Sequence, residues 1–141
     1  MKLLHLNPQE LPDWSATFSQ VVAVEHGGVR HLHVSGQVGV DSFKRLAGDG
    51  SFEAQLEGAL SNLEIALRVG GASWPSVVKL TVYVVNYLPP LAAPLRRALS
   101  SRFSPGHLPA LSLLGVAALA DPAFLVEIEA LAVVPMGSTA G

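Results

Sequence analysis

The stretch Phe52-Glu53-Ala54-Gln55-Leu56-Glu57-Gly58-Ala59-Leu60-Ser61-Asn62-Leu63-Glu64-Ile65-Ala66-Leu67-Arg68-Val69-Gly70-Gly71 decides the fold, together with the strand pattern that follows it. Phe52, Leu56, Ala59, Leu60, Leu63, Ala66 and Leu67 recur at helical spacing and form one apolar stripe. Asp49 or Ser51 is placed to cap the start, and Gly70-Gly71 supplies the stop. Val77 to Val85 then switches to period two. Val78, Leu80, Val82 and Val84 are expected on one face, with Lys79, Thr81 and Tyr83 on the other.

Working outward, Leu3 to Leu6 reads as a short first strand stopped by Asn7-Pro8. Phe18 to Val24 and Val29 to Val34 read as a hairpin around Gly27-Gly28, with Ser35-Gly36-Gln37 ending the second strand. Asp41 to Gly50 is a polar loop. On the far side, Pro89-Pro90 breaks the chain, and Leu91 to Phe103 reads as a second helix with Pro94 in its first turn. Ser104 to Pro109 is a loop. Leu111 to Val116 and Leu125 to Val134 are the last strands, joined through Asp121-Pro122. The order ββ-α-β-α-ββ, with an extra strand in front, predicts an α+β sandwich with both helices on one sheet face. Strand–helix–strand units favour parallel neighbours. The other sheet face must be polar or covered by a partner subunit.

A length of 141 residues fits a single domain spanning 1–141. Half the residues are hydrophobic and 14% are charged, against about 25% in an average domain. An alanine- and leucine-rich bias would explain this. A buried interface between subunits explains it better, since a small monomer with so few charges exposes large apolar patches. The net charge of −2 and the scattered basic residues leave no footprint for DNA. No apolar run is long enough to span a bilayer, and no secretory signal is expected at the N-terminus. The chain contains no cysteine, which excludes disulfides, thiolate catalysis and Cys-ligated zinc and fits a cytoplasmic location.

Few places remain for chemistry. Glu127 and Glu129 lie two apart on a strand and share a face, where they either position a water or an amine or simply form a solvated face. His31 and His33 have the same spacing, but no acidic or cysteine partner stands at a ligand spacing, so no metal is expected. Arg96, Arg97 and Arg102 lie on the second helix, either as an exposed basic face or with one of them holding an anion bidentately.

Several segments, in order along nearly the whole chain, resemble the YjgF/RidA family (reactive intermediate deaminase A). They are Asn7-Pro8 with Leu11-Pro12, Phe18-Ser19-Gln20, Val34-Ser35-Gly36-Gln37-Val38, Phe52-Glu53-Ala54-Gln55, Gly71-Ala72-Ser73, Val77 to Val84, Pro109-Ala110 and Leu125-Val126-Glu127-Ile128-Glu129-Ala130. The resemblance implies a chorismate-mutase-like α+β fold assembled as a homotrimer, with small-molecule clefts between subunits. It also implies hydrolysis of reactive enamines and imines to ketones and ammonia, with no metal or cofactor. In deaminating members an arginine after Pro-Ala grips the substrate carboxylate. Leu111 occupies that place here, and leucine offers neither charge nor donor.

The resemblance assigns further roles. Glu127 matches the acid that positions the attacking water. Ser35 and Gly36 match the cleft-lining turn, and Phe18 stands for a family tyrosine. A family asparagine aligns with Leu95 or Arg96, and Arg96 is a candidate replacement for the lost positive charge. A carboxylate beside apolar neighbours such as Leu111 is expected to have a raised pKa. A non-catalytic ligand-binding trimer is the alternative. Ribonuclease activity, attributed to some relatives, is a further one that the scattered basic residues disfavour.

Overall fold

The computed structural model describes residues 1–137. Six strands, β1 (Lys2–Leu6), β2 (Val21–His26), β3 (Val29–Val38), β4 (Val77–Val85), β5 (Ala110–Val116) and β6 (Val126–Pro135), form one mixed sheet in the order β1-β2-β3-β6-β4-β5. Helix α1 (Phe52–Val69) connects β3 to β4, and α2 (Ala92–Ser100) connects β4 to β5. Only β4 and β5 run parallel; every other pairing is antiparallel. Strand β6 inserts between β3 and β4 and pairs with both, so the β3-α1-β4 unit does not make neighbours as expected.

Helix α1 has the predicted bounds because its local signals agree. The Ser51 hydroxyl accepts the Ala54 N–H at 3.2 Å. Gly71, at φ +83°, lets the chain turn so that the Ala72 N–H reaches the Leu67 carbonyl. Its stripe is buried from Leu56 to Leu67 against Leu32, Leu80, Val82, Val126 and Ile128 of the sheet. Each such leucine contributes about 2 kcal/mol of burial. Leu95 and Ala98 of α2 join the same core.

Four local expectations need correction. The second strand of the hairpin does not end at Ser35. A bulge between Val34 and Gln37 absorbs Ser35-Gly36, and pairing with β6 resumes at Gln37 and Val38. In β4, Val77 rather than Val78 faces the core, because a second bulge between Val77 and Lys79 shifts the alternation; Val78 is 48% exposed. Strand β2 begins at Val21, leaving Phe18 in the preceding loop. Helix α2 is shorter than predicted, since Pro89–Leu91 forms a separate 3-10 turn and the chain leaves the helix after Ser100.

Edge strand β5 buries no residue fully; Leu111, Leu113 and Leu114 are all exposed. No helix is long and apolar enough to cross a membrane among the described residues.

Candidate functional site

Strand β6 is central, and its alternation is strict. Val126, Ile128 and Ala130 enter the core, while Glu127 and Glu129 project from the opposite, helix-free face. Across the ladder Glu127 faces Tyr83, and Glu129 faces Thr81. The two carboxylates have different surroundings. Glu129 accepts a hydrogen bond from the Tyr83 hydroxyl at 2.5 Å. Glu127 accepts none among the described residues. Burial first, and the Glu129 charge second, push the Glu127 carboxyl above the ordinary carboxylate range. The hydrogen bond to Glu129, and then burial, raise the Tyr83 phenol. Two acids with environments that differ in this way suit different roles.

The bulge on β3 sets the wall beside Glu127. A Cβ on Gly36 would lie 1.8 Å from Glu127 Oε1 and 2.7 Å from its Cδ, so the carboxylate rests in space that only glycine leaves open. Ser35 does not present its hydroxyl to Glu127; Oγ donates to the Ser19 carbonyl at 2.6 Å, and the Ser35 N–H donates to the Gln20 carbonyl. Buried Gln37 donates through Nε2 to Gln20 Oε1 and to the Ser35 carbonyl, and Gln20 Nε2 donates to the Pro12 carbonyl. This network pins the bulge to the loop that carries Phe18, which is 41% exposed and stacks on Trp14.

Leu111 and Arg96 are elsewhere. The register pairs Leu111 with Leu80 and Leu113 with Val82, both core-facing, so Leu111 lies on the helix side of the sheet. There an open groove of about 440 Å³ runs between α2 and β5, lined chiefly by Leu95, Leu99, Phe103, Leu108, Leu111 and Leu113. Arg96 is the one charged residue in that lining. Leu111 is therefore not the apolar neighbour that raises the Glu127 pKa; burial on the other face and Glu129 do so. The fold brings Glu127 and Gly36 together, with Ser35 and Phe18 following through the bulge network. It groups Arg96 with Leu111, and within one chain the sheet separates the two groups.

Sequence reasoning passed over Tyr83, Gln20, Gln37 and Gln55. Gln55 is fully buried; its Nε2 donates to the Gly50 and Ala123 carbonyls and its Oε1 accepts the Leu125 N–H, two residues before Glu127. A polar residue at the foot of an apolar helical stripe was the available signal. His31 and His33 are exposed on β3, and no cluster of three metal-ligating side chains exists among the described residues.

A family model described as endoribonuclease L-PSP matches residues 9–134. The chain is 31% identical over 136 residues to a 2-iminobutanoate/2-iminopropanoate deaminase from rat, a match covering 96% of this chain and 93% of the rat protein. The crystal structure of RidA from an Antarctic Psychrobacter species superposes with a TM-score of 0.77 at 28% identity, covering 93% of this chain and 99% of that one. A Yersinia pestis protein of unknown function from the conserved Rid family superposes with a TM-score of 0.71 at 35% identity, covering 95% and 100%.

Proposed function

We propose that this chain, which belongs to the endoribonuclease L-PSP (YjgF/RidA) family, hydrolyses reactive imines in a cleft shared between the subunits of a homotrimer. The observation that carries this reading is Glu127: a half-buried carboxylate with a raised pKa, held in space vacated at Gly36 and free of the hydrogen bond that ties Glu129. The rat relative's name, an imine deaminase, supports the reaction class.

The chemistry is general acid–base hydrolysis. Glu127 accepts a proton from water as the water oxygen attacks the imine carbon. The same carboxyl passes that proton to nitrogen, giving a carbinolamine; it then takes the carbinolamine hydroxyl proton and delivers it to the amino nitrogen as the C–N bond breaks, so that ketone and ammonia leave. A carboxyl poised above its ordinary range transfers protons better near neutrality.

Glu127 and the groove at Leu111 lie on opposite faces of one sheet, so one protomer cannot close around a substrate that uses both. A heterologous contact that sets the groove of one protomer against the Glu127 face of the next completes the site and closes into a ring. The exposed leucines 108, 111, 113, 114 and 131 provide apolar surface for such a contact.

Ammonia release from freshly generated 2-imino acids, compared between wild type and Glu127→Gln, tests the reaction. Loss of about a hundredfold or more in the variant, with the oligomer's mass unchanged, is expected of a general acid–base residue. Unchanged turnover defeats the assignment. Leu111 favours a second reading, a non-catalytic binding trimer, which predicts ligand binding without hydrolysis in either protein. The fold adds nothing to the ribonuclease reading. Arg30, Arg45, Arg68 and Arg102 are each engaged with a carboxylate rather than gathered along a groove.

A further inference from the structure

We infer that the groove between α2 and β5 binds monocarboxylates with a bulky apolar body, the carboxylate held by Arg96 and the body by the leucines around Leu111. This names the substrate class of the proposed reaction and rests on that reading of the groove as the cleft's second half.

Three observations point to this chemistry. The first is volume. Water occupies roughly 30 Å³ in the liquid, so a groove of about 440 Å³ has room for a ligand well beyond pyruvate in size. The second is polarity. Leu95, Leu99, Leu108, Leu111 and Leu113 offer no hydrogen bonds, and Ser100 is the sole neutral polar residue in the lining. A small polar acid would leave most of this wall against water, whereas a branched or aromatic body would cover it. The third is charge. Arg30, Arg45, Arg68 and Arg102 each pair with a carboxylate, while the Arg96 guanidinium makes no hydrogen bond or ion pair among the described residues. It stands at an apolar groove with a free planar fork, which matches a carboxylate bidentately. Leu111 therefore serves the ligand's apolar body, and the anchoring charge comes from the helix instead of the strand.

The test is equilibrium binding of stable 2-oxo acids, the hydrolysis products, by calorimetry on the assembled protein. The probes are pyruvate, 4-methyl-2-oxopentanoate, 3-phenyl-2-oxopropanoate and the methyl ester of the second. Each methylene buried is expected to tighten binding about fourfold, so the two bulky acids should bind at least tenfold tighter than pyruvate. Removing the carboxylate charge in the ester, or the guanidinium in Arg96→Gln, should each weaken binding roughly tenfold. Arg97→Gln, which lines other surface depressions, should bind as wild type does. Equal affinity for pyruvate and the bulky acids overturns the proposal. So does an Arg96→Gln variant indistinguishable from wild type, and so does a lack of saturable binding, which would mean that a second copy of the chain fills the groove. Because binding rather than turnover is read, this proposal and the assignment of Glu127 fail separately.

Discussion

Gly36 and Glu127 compete for one space: the position of a Cβ on Gly36 is 1.8 Å from Glu127 Oε1. The backbone of Gly36 is not in the left-handed region, so alanine there is conformationally permitted. What alanine cannot share is the volume. Gly36→Ala is expected to fold and assemble but to rotate Glu127 out of place, lowering kcat for imine hydrolysis at least tenfold. Steady-state kinetics alongside a thermal melt checks this. A variant as active as wild type would show that the Glu127 position is unimportant.

Glu127 also makes stability depend on pH in a defined direction. Burial and Glu129 raise its pKa in the folded state, so between the ordinary and the raised value the folded chain binds more protons than the unfolded chain. Stability contributed at this position falls as pH rises through that interval. Below it the carboxyl is neutral in both states and costs nothing. Glu127→Gln should therefore gain Tm over wild type as pH is raised through the interval, and gain nothing below it. Melting curves of both proteins from pH 4 to 8 give the comparison.

Gln55 makes three hydrogen bonds from a fully buried side chain, two of which, to Ala123 and Leu125, hold the start of β6 in place while the third ties the Gly50 carbonyl. Gln55→Leu keeps much of the volume but strands two carbonyls and one N–H, at a cost of about 2–4 kcal/mol. Urea denaturation reads the loss. A cost below 1 kcal/mol would mean that water replaces the glutamine.

Arg96 and Leu111 line one groove, which predicts an exchange of roles. In an Arg96→Gln background, Leu111→Arg should restore the KM for bulky 2-imino acids to within a fewfold of wild type, because either position then supplies the guanidinium. In the wild-type background the same change removes a leucine from the wall without supplying a missing charge, so KM for bulky 2-imino acids should rise a fewfold. A large gain there instead would show that Arg96 does not hold the substrate.

Much of this architecture was legible in residue order because several levels agreed. Helix α1 carried its cap, stripe and glycine stop between Ser51 and Gly71, and the period-two runs of β4 beyond its bulge and of β6 were regular enough to read. The placement of Glu127 and Glu129 on one face followed directly from that period. Three things were hidden. The bulges at Ser35-Gly36 and Val78 are set by pairing with β6, more than 40 residues away, and local pattern contains no trace of them. The face on which Leu111 lies depends on its register with β4, which only the assembled sheet defines. The buried glutamines satisfy backbone groups distant in sequence, so their partners were invisible even though their chemistry was not.

In the proposed trimer, Glu127 of one protomer works on a substrate seated in the groove of another. Mixed trimers of Glu127→Gln and Leu113→Trp test it most directly, the tryptophan filling the groove. Each variant alone should release little ammonia from 2-imino acids. Co-assembled at equal ratio they should recover about a quarter of the wild-type rate, the share of interfaces that join an intact Glu127 to an open groove in random head-to-tail assembly. Activity in the mixture no greater than the average of the two variants alone, with trimers confirmed by light scattering, would contradict the shared site.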